Sequence, residues 1–204
     1  MNKTLVSALL VGACVGASAQ VNVIGPFAGS LSEGYETQVR GMFLAQYSVF
    51  GGAGTVDQFG GGSPGVLVTT GWSFFSNIGP HSGEAFLGGA GVNYEYNFNT
   101  PALRFGGWFG TNADTPDATV AFFDENEVQI GSTLTASAPL GQWQWNGWEY
   151  AGGISRVQVR ANNQFGGFIM NDDMQYTAVP EPATMAFLGF GVAALVARRR
   201  RRSA

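Results

Sequence analysis

The chain has a single cysteine, Cys14, so no intrachain disulfide can be drawn. Its single histidine, His81, has no second histidine and no neighbouring cysteine with which to share a transition metal, which leaves no ligand set for zinc or copper. There is one lysine, Lys3. No apolar segment reaches the roughly 20 residues of an ordinary membrane span. Long amphipathic helical periods are absent, so a helical bundle is excluded. No internal repeat is evident.

What is present is concentrated first at the two ends. Lys3 gives a positive start, Leu5 to Gly16 is apolar, and Ala17-Ser18-Ala19 has the small-x-small pattern of a signal-peptidase site. The mature chain is therefore expected to begin at Gln20. A competing reading takes Val11-Gly12-Ala13-Cys14 as a lipoprotein-type box with Cys14 acylated. At the other end, Val179-Pro180-Glu181-Pro182 precedes an uncharged run, Ala183 to Ala197, and then Arg198, Arg199, Arg200, Arg201 and Arg202. As a helix the run is about 22 Å long against a hydrocarbon core of about 30 Å. Arginine snorkelling and local thinning can close that gap. The arginines favour the cytoplasmic side, which puts everything before Glu181 outside.

Between the ends the charge is one-sided. Residues 20–182 hold all fourteen acids and four basic residues, Arg40, Arg104, Arg156 and Arg160, for a net charge near −10. The whole-chain value of −4 hides this. Nucleic acid and anionic membrane surfaces are poor partners for such a surface.

The dominant period is two. Val92, Tyr94, Tyr96 and Phe98 alternate with Asn93, Glu95, Asn97 and Asn99. Val157 and Val159, Val120 and Phe122, and Phe168 and Met170 repeat the pattern. Each reads as a strand with one buried and one wet face. Turn clusters separate them at Thr111 to Asp117, Asp124 to Glu127, Asn146-Gly147 and Asn162-Asn163. The spacing predicts one all-β domain, an antiparallel sandwich of jelly-roll, lectin-like type. Gly51 to Gly65 reads as a long mobile loop between early strands.

Few residues suggest chemistry. Gly61-Gly62-Ser63-Pro64-Gly65 has the letters of a nucleophile elbow, but a β-like run rather than a helix follows it, and no acid lies between Ser63 and His81. Gly60 to Gly65 spells a dinucleotide fingerprint without a βαβ unit around it. No catalytic residue is assigned. Asp172 and Asp173 stand just before a last strand, while Glu33 and Glu36 lie near the first. Asp172 with Glu33 or Glu36 is a candidate structural calcium site, since calcium takes six to eight oxygens. The plainer reading is that these acids are solvated or cap turns. Trp143, Trp145 and Trp148 read as core packing, or as a platform on which a sugar ring stacks.

The C-terminus resembles the PEP-CTERM sorting domain of exported bacterial proteins. The resemblance rests on Val179, Pro180, Glu181 and Pro182, the apolar run and the arginines, and covers about an eighth of the chain. It implies processing by an exosortase, an integral-membrane cysteine transpeptidase supplied in trans. It implies a protein anchored transiently in the inner membrane, then released or attached at the cell surface in an organism that makes exopolysaccharide. Leu103 to Thr177 also resembles a sandwich domain common in such proteins, through Phe105-Gly106-Gly107-Trp108, Val120-Ala121-Phe122-Phe123-Asp124, Trp145-Asn146-Gly147-Trp148 and Gly166 to Met174. The expected organisation is a signal peptide at 1–19, a sandwich at 20–177 and a sorting signal at 178–204. The expected role is that of a non-catalytic surface or matrix protein, with a glycan-binding module as the alternative.

Overall fold

The computed structural model describes residues 20–40, 46–59, 65–68, 71–88, 93–114, 117–162 and 168–180. Cys14, Ala17, Ala19, Glu181, Pro182 and the five terminal arginines lie outside the described residues, as do the first four residues of the elbow-like motif. Among the described residues no helix is long and apolar enough to cross a membrane.

Among the described residues thirteen strands follow one another: β1 (Asn22–Val23), β2 (Leu31–Glu33), β3 (Gln46–Val49), β4 (Gly54–Phe59), β5 (Gly65–Val68), β6 (Trp72–Ser73), β7 (Asn77–Ile78), β8 (Ala85–Gly88), β9 (Asn93–Thr111), β10 (Ala118–Phe123), β11 (Leu134–Ala136), β12 (Gln144–Ala161) and β13 (Ile169–Ala178). The main path runs β11-β10-β12-β9-β13-β8-β5, with β1 on β12, β2 on β13, and the β3–β4 pair on β9. The strand pairings are antiparallel. The last strand, β13, has β2 as a neighbour, Glu33 lying opposite Met174.

Two long strands turn this sheet into a sandwich. The first half of β9 pairs with β4, from Phe59↔Asn93 to Gly54↔Phe98, and the second half pairs with β13. Its partner β12 breaks register between Glu149 and Ile154 and again before Arg156. Both strands fold over at this level. Pro101 has no N–H to give the ladder, and Gly153 adopts φ 87, which a side chain resists. A Cβ on Gly153 would also lie 2.7 Å from the Pro101 ring. The two halves of each strand thus face one another across a shared core. Tyr96 and Phe98 from the first half of β9 meet Phe105 from the second at ring distances of 4.9 and 5.2 Å. Trp148, Phe109 and Phe122 complete the aromatic centre.

The alternation in the sequence holds where the strands have one wet face. Tyr94, Tyr96 and Phe98 are buried, as are Val120, Phe122, Val157 and Val159. Three expectations need correction. Gly54–Phe59 is a paired strand, not loop: Val56 enters the core, and Gly54 lets β4 approach β9 where a Cβ would sit 2.6 Å from the Asn97 carbonyl. Asn146-Gly147 is not a turn but the middle of β12's first half. The Asn146 amide exchanges two 2.8 Å hydrogen bonds with the Ser137 backbone, which offsets its turn preference. Finally, β13 has no wet face along its first half. Ile169 and Asn171 point into the main core, while Met170 joins Ile78 and Phe86 in a second cluster outside.

Candidate functional site

That second cluster exists because residues 71–85 strap across the outer face of β12, β9 and β13. On this face Trp145, Trp108 and Asp172 stand in register on three adjacent strands. Gly106 and Gly147 supply a flat seat beside them: a Cβ on Gly106 would be 3.1 Å from the Trp145 ring, and one on Gly147 2.8 Å from its indole nitrogen. Phe27 meets Trp145 edge-on at 5.6 Å. His81, from the strap, stacks on Trp108 at 4.1 Å and 17°. Trp143 packs edge-on against Phe86 and donates its indole N–H to the Gly79 carbonyl at 2.9 Å. Of the three tryptophans grouped in the sequence, Trp148 is core, and Trp143 and Trp145 are half-buried seams on the opposite face.

Carboxylates hold the strap down. Asp172 is fully buried, and its Oδ2 accepts the His81 and Ser82 backbone N–H groups at 2.8 and 3.3 Å. Its Oδ1 accepts the Asp173 N–H at 2.7 Å. Burial, with the neighbouring Asp173 charge adding to it, outweighs these three N–H bonds and pushes the Asp172 carboxyl up to about 7. Asp173 sits at the bulge of β13 with φ 47. It takes His81 Nδ1 at 2.7 Å on one oxygen and the Ser82 hydroxyl at 2.8 Å on the other. Glu36 accepts the Glu84 and Ala85 N–H groups at 2.7 and 3.1 Å. Glu33 accepts the Tyr35 and Phe50 N–H groups at 2.8 and 3.0 Å.

The candidate calcium ligands are therefore not gathered around a common point. Asp172 and Glu33 turn both oxygens to backbone N–H groups, and Glu36 turns one, its other facing Arg40, which is the work of turn caps. Among the described residues no three His, Cys, Asp or Glu side chains are placed to hold a metal. Nor does the Ser82–Asp173–His81 trio form a nucleophile and base, because the serine hydroxyl bonds the carboxylate and not the imidazole. Glu33 and Asp172 both act on a buried polar knot, in which Tyr35 and Tyr96 donate to Asn171 Oδ1 at 2.6 Å each. Burial is the main cause that raises the Tyr35 and Tyr96 hydroxyls well above their ordinary range; for Tyr35 the neighbouring Tyr96 comes next, and the Glu33 and Asp172 charges add to both.

The exposed aromatic surface lies elsewhere, at the end of the sandwich where β9 finishes and β13 starts. The β6–β7 hairpin is tied there by the Phe75 N–H to the Asn112 carbonyl at 2.8 Å and by the Asn112 amide to the Trp72 carbonyl at 3.0 Å. At its tip Phe74 and Phe75 are 48% and 54% exposed. Phe74 stacks on Phe168 at 4.9 Å and 11°, meets Phe75 edge-on at 4.6 Å, and Trp72 backs Phe168 at 5.9 Å. Sequence reasoning missed these rings. The available signal was the adjacency of Phe74 and Phe75: neighbours on an extended chain face opposite ways, so one core cannot take both.

Comparison with known proteins agrees with the C-terminal reading. The PEP-CTERM protein-sorting motif matches residues 178–202, so the chain carries that motif and is an exported protein, membrane-anchored before processing. No curated protein sequence matches. Among solved structures, TmCBM61 in complex with beta-1,4-galactotriose aligns with TM-score 0.43 and 13% identity, over 72% of this chain and 94% of that one. The CBM22-1 xylan-binding domain of Paenibacillus barcinonensis Xyn10C gives 0.43 and 13%, over 74% and 97%. The family 11 carbohydrate-binding module of Clostridium thermocellum Lic26A-Cel5E gives 0.40 and 10%, over 77% and 98%. At these scores the likeness transfers neither a ligand nor a residue role.

Proposed function

We propose that this bearer of a sorting motif is a non-catalytic component of the cell surface or extracellular matrix that binds polysaccharide through its aromatic end. In this reading signal peptidase removes residues 1–19, residues 20–177 are the working sandwich, and an exosortase processes the signal at 178–204 near Pro180, Glu181 and Pro182. The carrying observation is the exposed pair Phe74 and Phe75, backed by Phe168 and Trp72. Phenyl faces held rigid by their neighbours stack on the C–H faces of sugar rings at little entropic cost. Hydroxyl and amide groups stand beside them, Ser73 bonding Asn77 at 2.9 Å. The acidity of the domain favours a neutral polymer over a polyanion. Support for a binding rather than catalytic role comes from the acids and the histidine, which hold the strap in place.

The test is affinity electrophoresis of the exported protein through gels containing a panel of neutral polysaccharides. Retardation is expected in at least one, and the Phe74→Ala/Phe75→Ala double variant should lose at least tenfold in affinity with its melting temperature unchanged. A wild-type protein retarded by none of them, or a double variant retarded equally, would overturn the proposal.

A further inference from the structure

The chain enters and leaves the sandwich at the same end. At the start, Asn22 and Val23 pair with Glu149 and Trp148, so Gln20 and Val21 lie toward the fold-over of β12. At the finish, the Val179 N–H donates to the Pro101 carbonyl at 2.9 Å, and its side chain lies beside Gly153, on that same fold-over. The sandwich is thus ordered up to the residue before Pro180. Only three residues separate Val179 from the apolar run that begins at Ala183. Four extended steps reach at most about 14 Å. At this end residues 98–103, 150–155 and 177–180 carry no charge, and the acidic turn Asp124 to Glu127 that follows β10 stands beside them next to Arg156. The nearest charges along these strands are paired: Arg104 with Glu149, and Arg156 with Glu95 and Glu127.

We infer that the fold-over end around Thr100, Pro101, Ala151 and Val179 is the face this protein lays against the lipid headgroups while it is anchored. The inference rests on the membrane-anchored reading of the sorting motif. The headgroup layer is roughly 5–8 Å thick on each side of the hydrocarbon core, so a 14 Å tether leaves no room for the domain to turn over. An acidic side chain is repelled by anionic headgroups whereas an uncharged one is not, and Thr100, Pro101 and Ala151 are uncharged. Both export signals can engage one membrane without crossing the sandwich, because both chain ends are on its near side. The far end follows from the same geometry. β13 runs from the fold-over to Phe168, roughly 30 Å away. Phe74 and Phe75 therefore lie at the end away from the membrane, where a polymer is met before the tail is cut.

The experiment uses the full chain with Cys14→Ser, reconstituted in phosphatidylcholine vesicles carrying a headgroup nitroxide. Single cysteines at Thr100→Cys or Ala151→Cys (near end) and Ser73→Cys or Leu140→Cys (far end) carry a fluorophore. Strong quenching at the near positions and little at the far ones is expected. A flexible twenty-residue insert after Pro180 should relieve the near-end quenching. Equal quenching at both ends, or near-end quenching that survives the insert, would overturn the orientation. Near-end protection that occurs in cells with the processing enzyme but not in vesicles would assign the face to a protein and overturn the lipid contact. Failure of the chain to float with vesicles would instead refute the anchored reading itself.

Discussion

Asp172 is the residue whose environment and charge are most at odds. Its carboxyl is raised from the ordinary 3.8 to about 7, chiefly by burial. A carboxylate with a raised folded-state value contributes stability that is fully present below the unfolded value and is lost as pH rises through the folded one. Stability from this group should therefore fall between about pH 4 and pH 7. Asp172→Asn is expected to flatten the slope of melting temperature against pH in that window, and an unchanged slope would show that another group titrates there. A second residue-scale contrast separates core from surface. Trp148 is fully buried amid Phe105, Phe109 and Phe122. Trp148→Ala should remove about 3–5 kcal/mol in a denaturant melt. Phe74→Ala should stay within about 0.5 kcal/mol, as exposed positions do. Equal losses at the two sites would contradict the assignment of core and tip.

At the scale of elements, the close approaches are set by glycine and the loop positions by carboxylates. A Cβ on Gly106 would sit 2.6 Å from the Asn146 carbonyl and 2.8 Å from the Gly147 Cα, both backbone atoms that cannot swing aside. Gly106→Ala should therefore push β9 off β12 and destabilise by about 1–3 kcal/mol, read as a lower denaturation midpoint. The strap behaves differently. Its backbone N–H groups at His81, Ser82, Glu84 and Ala85 are held by Asp172 and Glu36. Loss of Glu36 as Glu36→Gln should speed hydrogen exchange at 84 and 85 more than in β9, since local opening there breaks few core contacts. Uniform acceleration across both would mean that the strap and the sheet open together. These features explain uneven legibility. Period-two patterning exposed the wet-faced strands β10, the first half of β9 and the second half of β12. Turn signals misled at Asn146-Gly147 and across Gly54 to Phe59, where tertiary partners overrode turn propensity.

For the whole molecule, the two termini and the charge act together. Fourteen acids stand against four arginines between residues 20 and 182, and the remaining basic residues are Lys3 and the terminal arginines. Processing near Glu181 would thus change both the mass and the charge sign balance of the tail in a single step. Mass spectrometry of the exported protein should find a C-terminus that lacks Arg198 to Arg202. Their retention would refute processing at the motif. Calcium should leave the melting temperature unchanged relative to chelator, because the carboxylates proposed as ligands already hold backbone N–H groups. A clear upward shift would restore the calcium reading.

The sorting motif was written in linear order: a Pro-framed glutamate, an apolar run and arginines at the end. Such signals are read by other proteins as extended sequence, so one dimension suffices for them. The fold class was also legible, since alternation is a local consequence of strand geometry. Tertiary structure alone decided which tryptophans are core, what Asp172, Glu33 and Glu36 hold, and that Phe74 and Phe75 stand exposed beside Phe168. These depend on pairings between residues far apart in the chain, such as His81 on Trp108 or Val179 on Pro101, and no local period encodes a contact of that kind. The same pairings put the two chain ends on one side of the sandwich and the aromatic tip on the other.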